Sequence, residues 1–300
     1  MVQSVETTNA TNATLPAVAF QGEPGAFSEE AVLSYFGADG ARPTAVPTWR
    51  AVFEAVRDGG ADAGVVAIES SLAGSIRETY DLLSEFYDDG IRIVGEVSVP
   101  VRLALLALPG QSIDAIDRVY SHAQALAQAD EFLRARDWQV MTTYNTAGAA
   151  RMIADGRESG AAAIASPRVA ALYGLEVLAD NVQSGDENRT RFVVLGRDGD
   201  GSAGALRRGA TDDPLKTTLV FAVRNVPGSL HRCLGAFARR GVNLSRLESR
   251  PALTARWEYV FWVDLDADVA DPTAAAALAD LRAEAQMVRV LGTYSRAREE

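Results

Sequence analysis

From Ala17 to Gly196 short apolar runs alternate with amphipathic ones, and this rhythm constrains the fold more than any other feature. "AVAFQG" reads as a strand ending at Gly22. "AFSEEAVLSYFG" reads as a helix that starts at Ser28 or the Gly25 turn and stops at Gly37. "WRAVFEAVRDGG" sets Val52, Phe53 and Val56 on one helical face and ends in a glycine pair. A buried strand "ADAGVVAIE", a helix "IRETYDLLSEF" and a long extended segment "IRIVGEVSVPVRLALLAL" follow. Next come the strand "DRVYS", the helix "HAQALAQADEFLRAR", the strand "WQVMTTY", the helix "TAGAARMIADG" and the strand "AAAIAS". The helix "PRVAALYG", the extended "LEVLADNV" and the strand in "NRTRFVVLGR" complete the series. Such alternation predicts α/β architecture, with sheets covered by helices.

Residues 198–215 lose this rhythm and are rich in Gly, Asp and Arg, which marks them as a linker. Beyond the linker, 216–295 restart as strand, helix, strand, strand, helix, strand: Thr217–Val223, Gly228–Arg240, Asn243–Ser249, Trp257–Leu265, Pro272–Ala285 and Met287–Tyr294. That βαββαβ order is the ferredoxin-like split unit. Leu230, Leu234, Phe237 and Ala238 give its first helix one apolar face, and Gly241 stops it. The intervening linker predicts a first region that stays assembled without the second.

Three hundred residues suffice for two domains. A net charge of -11 with no basic tract excludes a nucleic-acid partner. Cys233 is the single cysteine, so no intrachain disulfide forms, which fits a reducing compartment. "MVQSVETTNATNATLP" has neither the basic end nor the apolar core of a signal peptide, and 1–16 read as a disordered tail. No stretch approaches the ~20 apolar residues that span a bilayer, so no membrane association and a cytoplasmic location are expected. Two distant histidines and one cysteine suggest no metal site. No glycine pattern matches a dinucleotide fingerprint or a P-loop, so no cofactor is expected.

Three clusters carry chemistry-bearing residues. Glu69, Ser70, Ser71 and Ser75 crowd the end of a strand, where open α/β sheets bind ligands; helix capping explains the serines equally well. Ser121 and Gln124 form a capping box, with His122 at the helix start. Gln128, two turns further on one face of a buried helix, needs a partner. In "NRTRFVVLG", Thr190 and Arg191 either meet an anionic substrate or are a strand-start hydroxyl and a cation paired with a local aspartate. Phe192 reads as core.

Taken in order, "AFQGEPGAFSEEA", "GVVAIESSLAGSIRETYDLL", "SHAQALAQ", "NTAGAARMIA", "AAIASPRVAALYGLEVLADNVQ" and "NRTRFVVLGR" resemble the prephenate dehydratase family. "FAVRNVPGSLHRCLGAFARRGVNLSRLESRP" is similar to the ACT regulatory domain that follows there. The resemblance covers roughly 17–295. It implies a two-lobed catalytic region, 17–197, of the type II periplasmic-binding-protein-like kind. Lobe one would be about 17–96 plus 182–197 and lobe two about 97–181, with the site between them. The activity implied is decarboxylative dehydration of prephenate to phenylpyruvate. Thr190, Glu69, Ser121 and Gln128 would be catalytic, and Ser70, Ser71, Arg191, Phe192 and Thr146 would bind substrate. L-Phenylalanine would bind the ACT unit between two copies, in a homodimer or homotetramer, near Asn225, Pro227, Gly228, Ser229, Leu230, Glu248, Ser249 and Arg250. There the loop amides would face the carboxylate and Leu230 would form an apolar wall; alternatively Glu248 and Arg250 simply pair with each other.

Three motifs depart from the family pattern, the first at two positions because Ala67 also replaces its proline. Ser70 stands for the usual asparagine of Pro-Ile-Glu-Asn-Ser, Ala123 for the proline of Ser-His-Pro-Gln, and Ser229 for the alanine of Gly-Ala-Leu. The first opens the choice between prephenate and arogenate as substrate. A non-catalytic two-lobed sensor is a further alternative.

Overall fold

A computed structural model describes residues 15–185, 187–198, 206, 213–251 and 259–297. Most of the expected tail, 1–14, and most of the expected linker lie outside these, as do 257–258 at the start of a C-terminal strand. Lobe one is built on strands β1 (Ala17–Gln21), β2 (Arg42–Val46), β3 (Ala63–Ser70), β5 (Ile91–Pro100) and β11 (Arg189–Arg197), in the order β2-β1-β3-β11-β5. A two-residue strand β4 (Gly74–Ser75) pairs off the end of β3. β1 to β3 run parallel, whereas β11 is antiparallel to both neighbours. Helix α1 (Phe27–Phe36) covers one face of this sheet. Helices α2 (Trp49–Arg57) and α3 (Arg77–Glu85) cover the other. α2 starts where the Thr48 hydroxyl accepts from the Ala51 amide, and Val52, Phe53 and Val56 are fully buried, as the periodicity predicts.

Lobe two contains β6 (Ala104–Ala107), β7 (Arg118–His122), β8 (Gln139–Thr143), β9 (Ala161–Ala165) and β10 (Glu176–Ala179), in the order β10-β6-β9-β7-β8. Its helices are α4 (Ala123–Gln128), α5 (Asp130–Arg134), α6 (Thr146–Gly156) and α7 (Arg168–Tyr173). The long extended segment of the sequence therefore splits: β5 ends one sheet, β6 begins the other, and the chain crosses at Val101–Leu103. It returns between 182 and 188, and the two crossings are tied together by Val101 N to Asn188 O (2.7 Å) and Val182 N to Leu103 O (2.9 Å). The helix expected over "HAQALAQADEFLRAR" is broken at Ala129 into α4 and α5.

The C-terminal unit comprises β12 (Leu215–Ala222), α8 (Ser229–Ala238), β13 (Leu244–Pro251), β14 (Tyr259–Leu265), α9 (Pro272–Glu284) and β15 (Met287–Ser295), with sheet order β13-β14-β12-β15. Its two helices cover the face bearing Leu219, Phe221, Phe261 and Val263. The opposite face, with Val220, Trp262, Leu291 and Tyr294, shares one core with Tyr80, Leu83, Phe86, Ile93, Val193 and Leu195 of lobe one. The tightest approach is at Gly292: a Cβ there would lie 2.0 Å from the Ile93 carbonyl oxygen, so only glycine fits. Leu206 is buried beside Val94 and Gly196, so this part of the expected linker is held against lobe one. The two regions are one packed body, so a first region that stays assembled without the second would have to expose part of this core.

Candidate active site

Between the lobes lies a cavity of about 480 Å³. Lobe one contributes Gln21, Phe27, Ser28, Thr48, Trp49, Ser70, Ile76, Thr190 and Phe192, and lobe two His122, Gln124, Gln128, Asn145 and Thr146. Val101 and Leu103 line it from the crossing. Next to it the lobes are clasped: Glu23 takes hydrogen bonds from Tyr144 Oη (2.9 Å) and Arg151 (2.7 Å), and Arg168 donates to Glu29 at 2.9 Å. Gly25, at φ 90°, presses its backbone on Val169 and Leu172 of α7. The glycine permits both this backbone conformation and the contact.

Five helices present their first turns to the cavity. The N-caps Ala26, Thr48, Ile76, His122 and Asn145 precede α1, α2, α3, α4 and α6, and Phe27, Ser28, Trp49, Glu78, Gln124 and Thr146 follow in their first turns. Helix N-termini carry partial positive charge, so their convergence favours an anion although, among the described residues, no arginine or lysine lines the wall and Glu78 does.

β11 distributes its side chains by ordinary strand alternation. Thr190 and Phe192 line the cavity, and Phe192 is 2% exposed within the α1-side core. Arg191 points to the opposite face. Its guanidinium donates to Glu69 (2.7 Å) and to Asp264 of the C-terminal unit (3.1 Å), with Glu96 at 3.4 Å. Burial opposes the charge, but Asp264, Glu96 and Glu69 outweigh it and hold the arginine pKa above its ordinary range. Lys216 closes the cluster with two 2.9 Å contacts to Glu96. Arg191, expected to bind substrate, and Glu69, expected to be catalytic, thus lie behind the strand and join the C-terminal unit to it, because each alternates with a cavity-facing neighbour, Thr190 or Ser70.

Two further expectations are corrected by position. Ser121 is fully buried and donates to the Ile164 carbonyl at 2.6 Å, pinning β7 to β9 rather than capping α4. The cap is His122, whose Nδ1 accepts from the Gln124 amide at 3.3 Å; burial lowers its pKa. Ser71 lies outside the cavity lining and joins Arg189 N and Glu187 O across the strand ends. Ser70 does line it, with its hydroxyl accepting from Leu72 N and Ala73 N at 3.3 Å each. Thr146 and Gln128 line the lobe-two wall. Trp49 and Asn145 went unread in the sequence, and each has a buried nitrogen, Nε1 and Nδ2, with no hydrogen-bond partner. A tryptophan directly after a capping threonine at a loop–helix junction is a signal for such a site.

In the C-terminal unit, β13 divides the expected effector residues between two faces. Glu248 and Arg250 pair across the sheet with Trp262 and Val260 and turn toward lobe one. Glu248 bonds Ser75 (2.6 Å) and Arg246, and Arg250 bonds the Arg77 carbonyl (2.8 Å) and Asp81 (3.0 Å). Neither pairs with the other. Ser249 sits opposite Phe261 on the helix-bearing face. Asn225, Pro227 and Gly228 are exposed before α8, Ser229 caps back to the Val226 carbonyl at 2.8 Å, and Leu230 is half-buried.

The family profile described as prephenate dehydratase matches residues 18–200, and that of the ACT domain matches 217–283. A curated relative, arogenate dehydratase 5 of Arabidopsis thaliana, is 40% identical over 92% of this chain and 67% of its own length. The structure of a prephenate dehydratase from Arthrobacter aurescens in complex with L-Phe aligns with a TM-score of 0.80 and 32% identity, over 93% of this chain and 90% of that one. A structure described as GqqA, a novel type of quorum quenching acylase, aligns with the same TM-score at 34% identity, over 93% and 97%. Two α/β lobes around a cleft, with Thr190 on the crossing strand and a βαββαβ unit behind it, belong to a dehydratase: this chain is a member of the prephenate dehydratase family.

Proposed function

We propose that the cavity converts prephenate to phenylpyruvate, with phenylalanine as effector of the ACT unit. The observation that carries this reading is a cleft lined by helix N-termini, with the Thr190 hydroxyl on one wall and the Gln128 amide on the other. Prephenate is a dianion, and helix N-termini bind carboxylates without a cationic side chain. In the reaction the ring carboxylate's C–C bond breaks to release carbon dioxide. Its electron pair restores the aromatic ring as the C–O bond across the ring breaks, and the departing hydroxyl takes a proton to leave as water. Thr190 hydrogen-bonds that hydroxyl. A threonine is a weak acid, so its contribution is polarisation or relay of a proton, within the ~10²–10⁴ typical of such assistance. Positioning between clasped lobes supplies the larger share.

Arogenate, the amino-acid form, is the second reading. It is favoured by the 40% identity to an arogenate dehydratase and by Ser70 on the cavity wall. A homo-oligomer is supported by β13, an edge strand that exposes Leu247. A cytoplasmic setting rests on the single cysteine, Cys233, which is buried and free. The test is phenylpyruvate formation by purified protein from prephenate, and phenylalanine formation from arogenate, each with and without added phenylalanine. No turnover of either substrate overturns the reading. An acyl-hydrolysis assay on the same preparation separates it from the activity named for the acylase structure.

A further inference from the structure

Asn188 lies two residues before Thr190, on the return crossing between the lobes, and is 3% exposed. Its backbone carbonyl accepts from Val101 N at 2.7 Å, joining the two crossings. Its side-chain Nδ2 donates to Gln128 Oε1 at 2.9 Å, while its own Oδ1 is buried with no hydrogen-bond partner. A buried asparagine satisfied at one end only is poor core material, because an unpaired buried acceptor is costly. What it contributes is therefore the one bond its Nδ2 makes. That bond occupies the oxygen end of the Gln128 amide. The opposite end, Nε2, carries two N–H donors, and Gln128 lines the cavity. The main chain of Gln128 is held from the same crossing, since Ser184 N donates to its carbonyl at 2.7 Å.

We propose that Asn188 is a positioning residue: it fixes the rotamer and the sense of the Gln128 amide, so that Nε2 is presented to the substrate as a donor. The group donated to is an oxygen, a carboxylate or the departing hydroxyl, because Nε2 cannot accept. Gln128 comes from lobe two and Thr190 from lobe one, and Asn188 is the side chain that ties the first to the strand of the second. It thereby sets the spacing of two polar groups from opposite walls. The proposal rests on the dehydratase reading of the cavity, and its test is built so that the two fail separately.

The experiment is a double-mutant cycle on the full chain with prephenate: Asn188→Ala, Gln128→Ala and the pair, each measured for kcat and KM, with folding followed by thermal unfolding. If Asn188 acts through Gln128, each single variant lowers kcat by about tenfold or more, with KM within about threefold, and the pair is no worse than Gln128→Ala alone. Additive losses, or a loss confined to stability with kcat unchanged, overturn the proposal, since a purely structural role would be blind to Gln128. Gln128→Glu is the second arm and does not depend on how Asn188 variants fold. Glutamate keeps an acceptor for Asn188 but offers no donor to the cavity, so it should be as poor as Gln128→Ala. Near-normal turnover by Gln128→Glu overturns the proposal. If Gln128→Ala itself turns over normally, the role of Gln128 in the dehydratase reading fails, and the positioning role of Asn188 with it.

Discussion

Arg191 is bonded to Asp264 at 3.1 Å, so the residue after Thr190 is held by the middle of the ACT sheet. The same guanidinium holds Glu69, and Glu96 lies beside it with Lys216. Thr190 and Arg191 are therefore two sides of one strand, with the cavity on one and the domain interface on the other. Truncating Arg191 leaves buried carboxylates short of a cation. Arg191→Ala should therefore lower unfolding free energy by about 3–5 kcal/mol, the usual cost of removing one partner from a buried ionic cluster. Urea denaturation reads this directly. A variant of normal stability whose KM for prephenate is raised a hundredfold would return Arg191 to the substrate site.

Thr190 is a half-buried member of the cavity wall and belongs to none of the apolar cores. Thr190→Ala should keep the fold and lower kcat by ~10²-fold, because the contact proposed for its hydroxyl is made in the transition state. Thr190→Ser keeps the hydroxyl and should retain part of the activity. Turnover of the alanine variant within a few-fold of the parent removes Thr190 from the mechanism.

Ser70 is 2% exposed, and its hydroxyl organises the turn at Leu72 and Ala73. Asparagine makes the same kind of turn with its carbonyl oxygen and has an NH₂ left to face the cavity. Ser70→Asn should shift the ratio of kcat/KM for prephenate and arogenate by about tenfold, since one hydrogen bond to a charged group contributes ~1.5–3 kcal/mol. Equal ratios before and after substitution would place position 70 out of reach of the ligand.

His122 gives a pH dependence of stability. Burial keeps its pKa below the ordinary 6.5, and its Nδ1 is an acceptor for the Gln124 amide. On acidification the unfolded chain takes up the proton first, so between the two pKa values the unfolded state binds more protons. Stability from this group is then present above about pH 6.5 and is lost as pH falls below it. His122→Asn, which still accepts from the helix amide, should flatten that part of the profile. An unchanged slope between about pH 7 and 5 would assign it to other groups.

Much of this was legible in the sequence. Periodicity located most of the strands and helices, because apolar residues recur at the spacing each element requires. β2 escaped because Arg42, Pro43 and Thr44 give an edge strand no apolar alternation. Opposite facing of Thr190 and Arg191 was available from the two-residue strand period, but what covers the Arg191 side was not. Only folding brings Asp264 within reach of a residue 73 positions earlier. A hint existed in "TLVFA", where Leu219, Val220 and Phe221 are all buried; an uninterrupted apolar run marks a strand covered on both faces. Ser121 had the spacing of a capping box, yet its rotamer is decided by a strand 43 residues away. Asn188 left no local signature, since its one side-chain bond spans 60 residues.

The shared core makes the ACT unit a structural part of the catalytic lobe, and truncation tests that. Ending the chain after Asp198 uncovers Tyr80, Ile93, Val193 and Leu195. It also deprives Glu96 of Lys216 and of the Ala297 amide, and Arg191 of Asp264. Glu96 keeps Arg191 at 3.4 Å, so the larger loss is the apolar surface laid open to water, at ~25 cal/mol per Å², against the ~5–15 kcal/mol that holds a typical domain folded. The truncated protein should therefore be insoluble, or unfold at a clearly lower urea concentration, with kcat reduced at least tenfold. Loss of phenylalanine inhibition in such a chain would then say nothing about where phenylalanine binds. Gly292→Ala is the milder probe: its Cβ must push β15 off the Ile93 carbonyl while the chain stays whole. It should lower stability and alter inhibition by phenylalanine together. A truncated chain with the parent's denaturation midpoint and full kcat would show that the interface is dispensable.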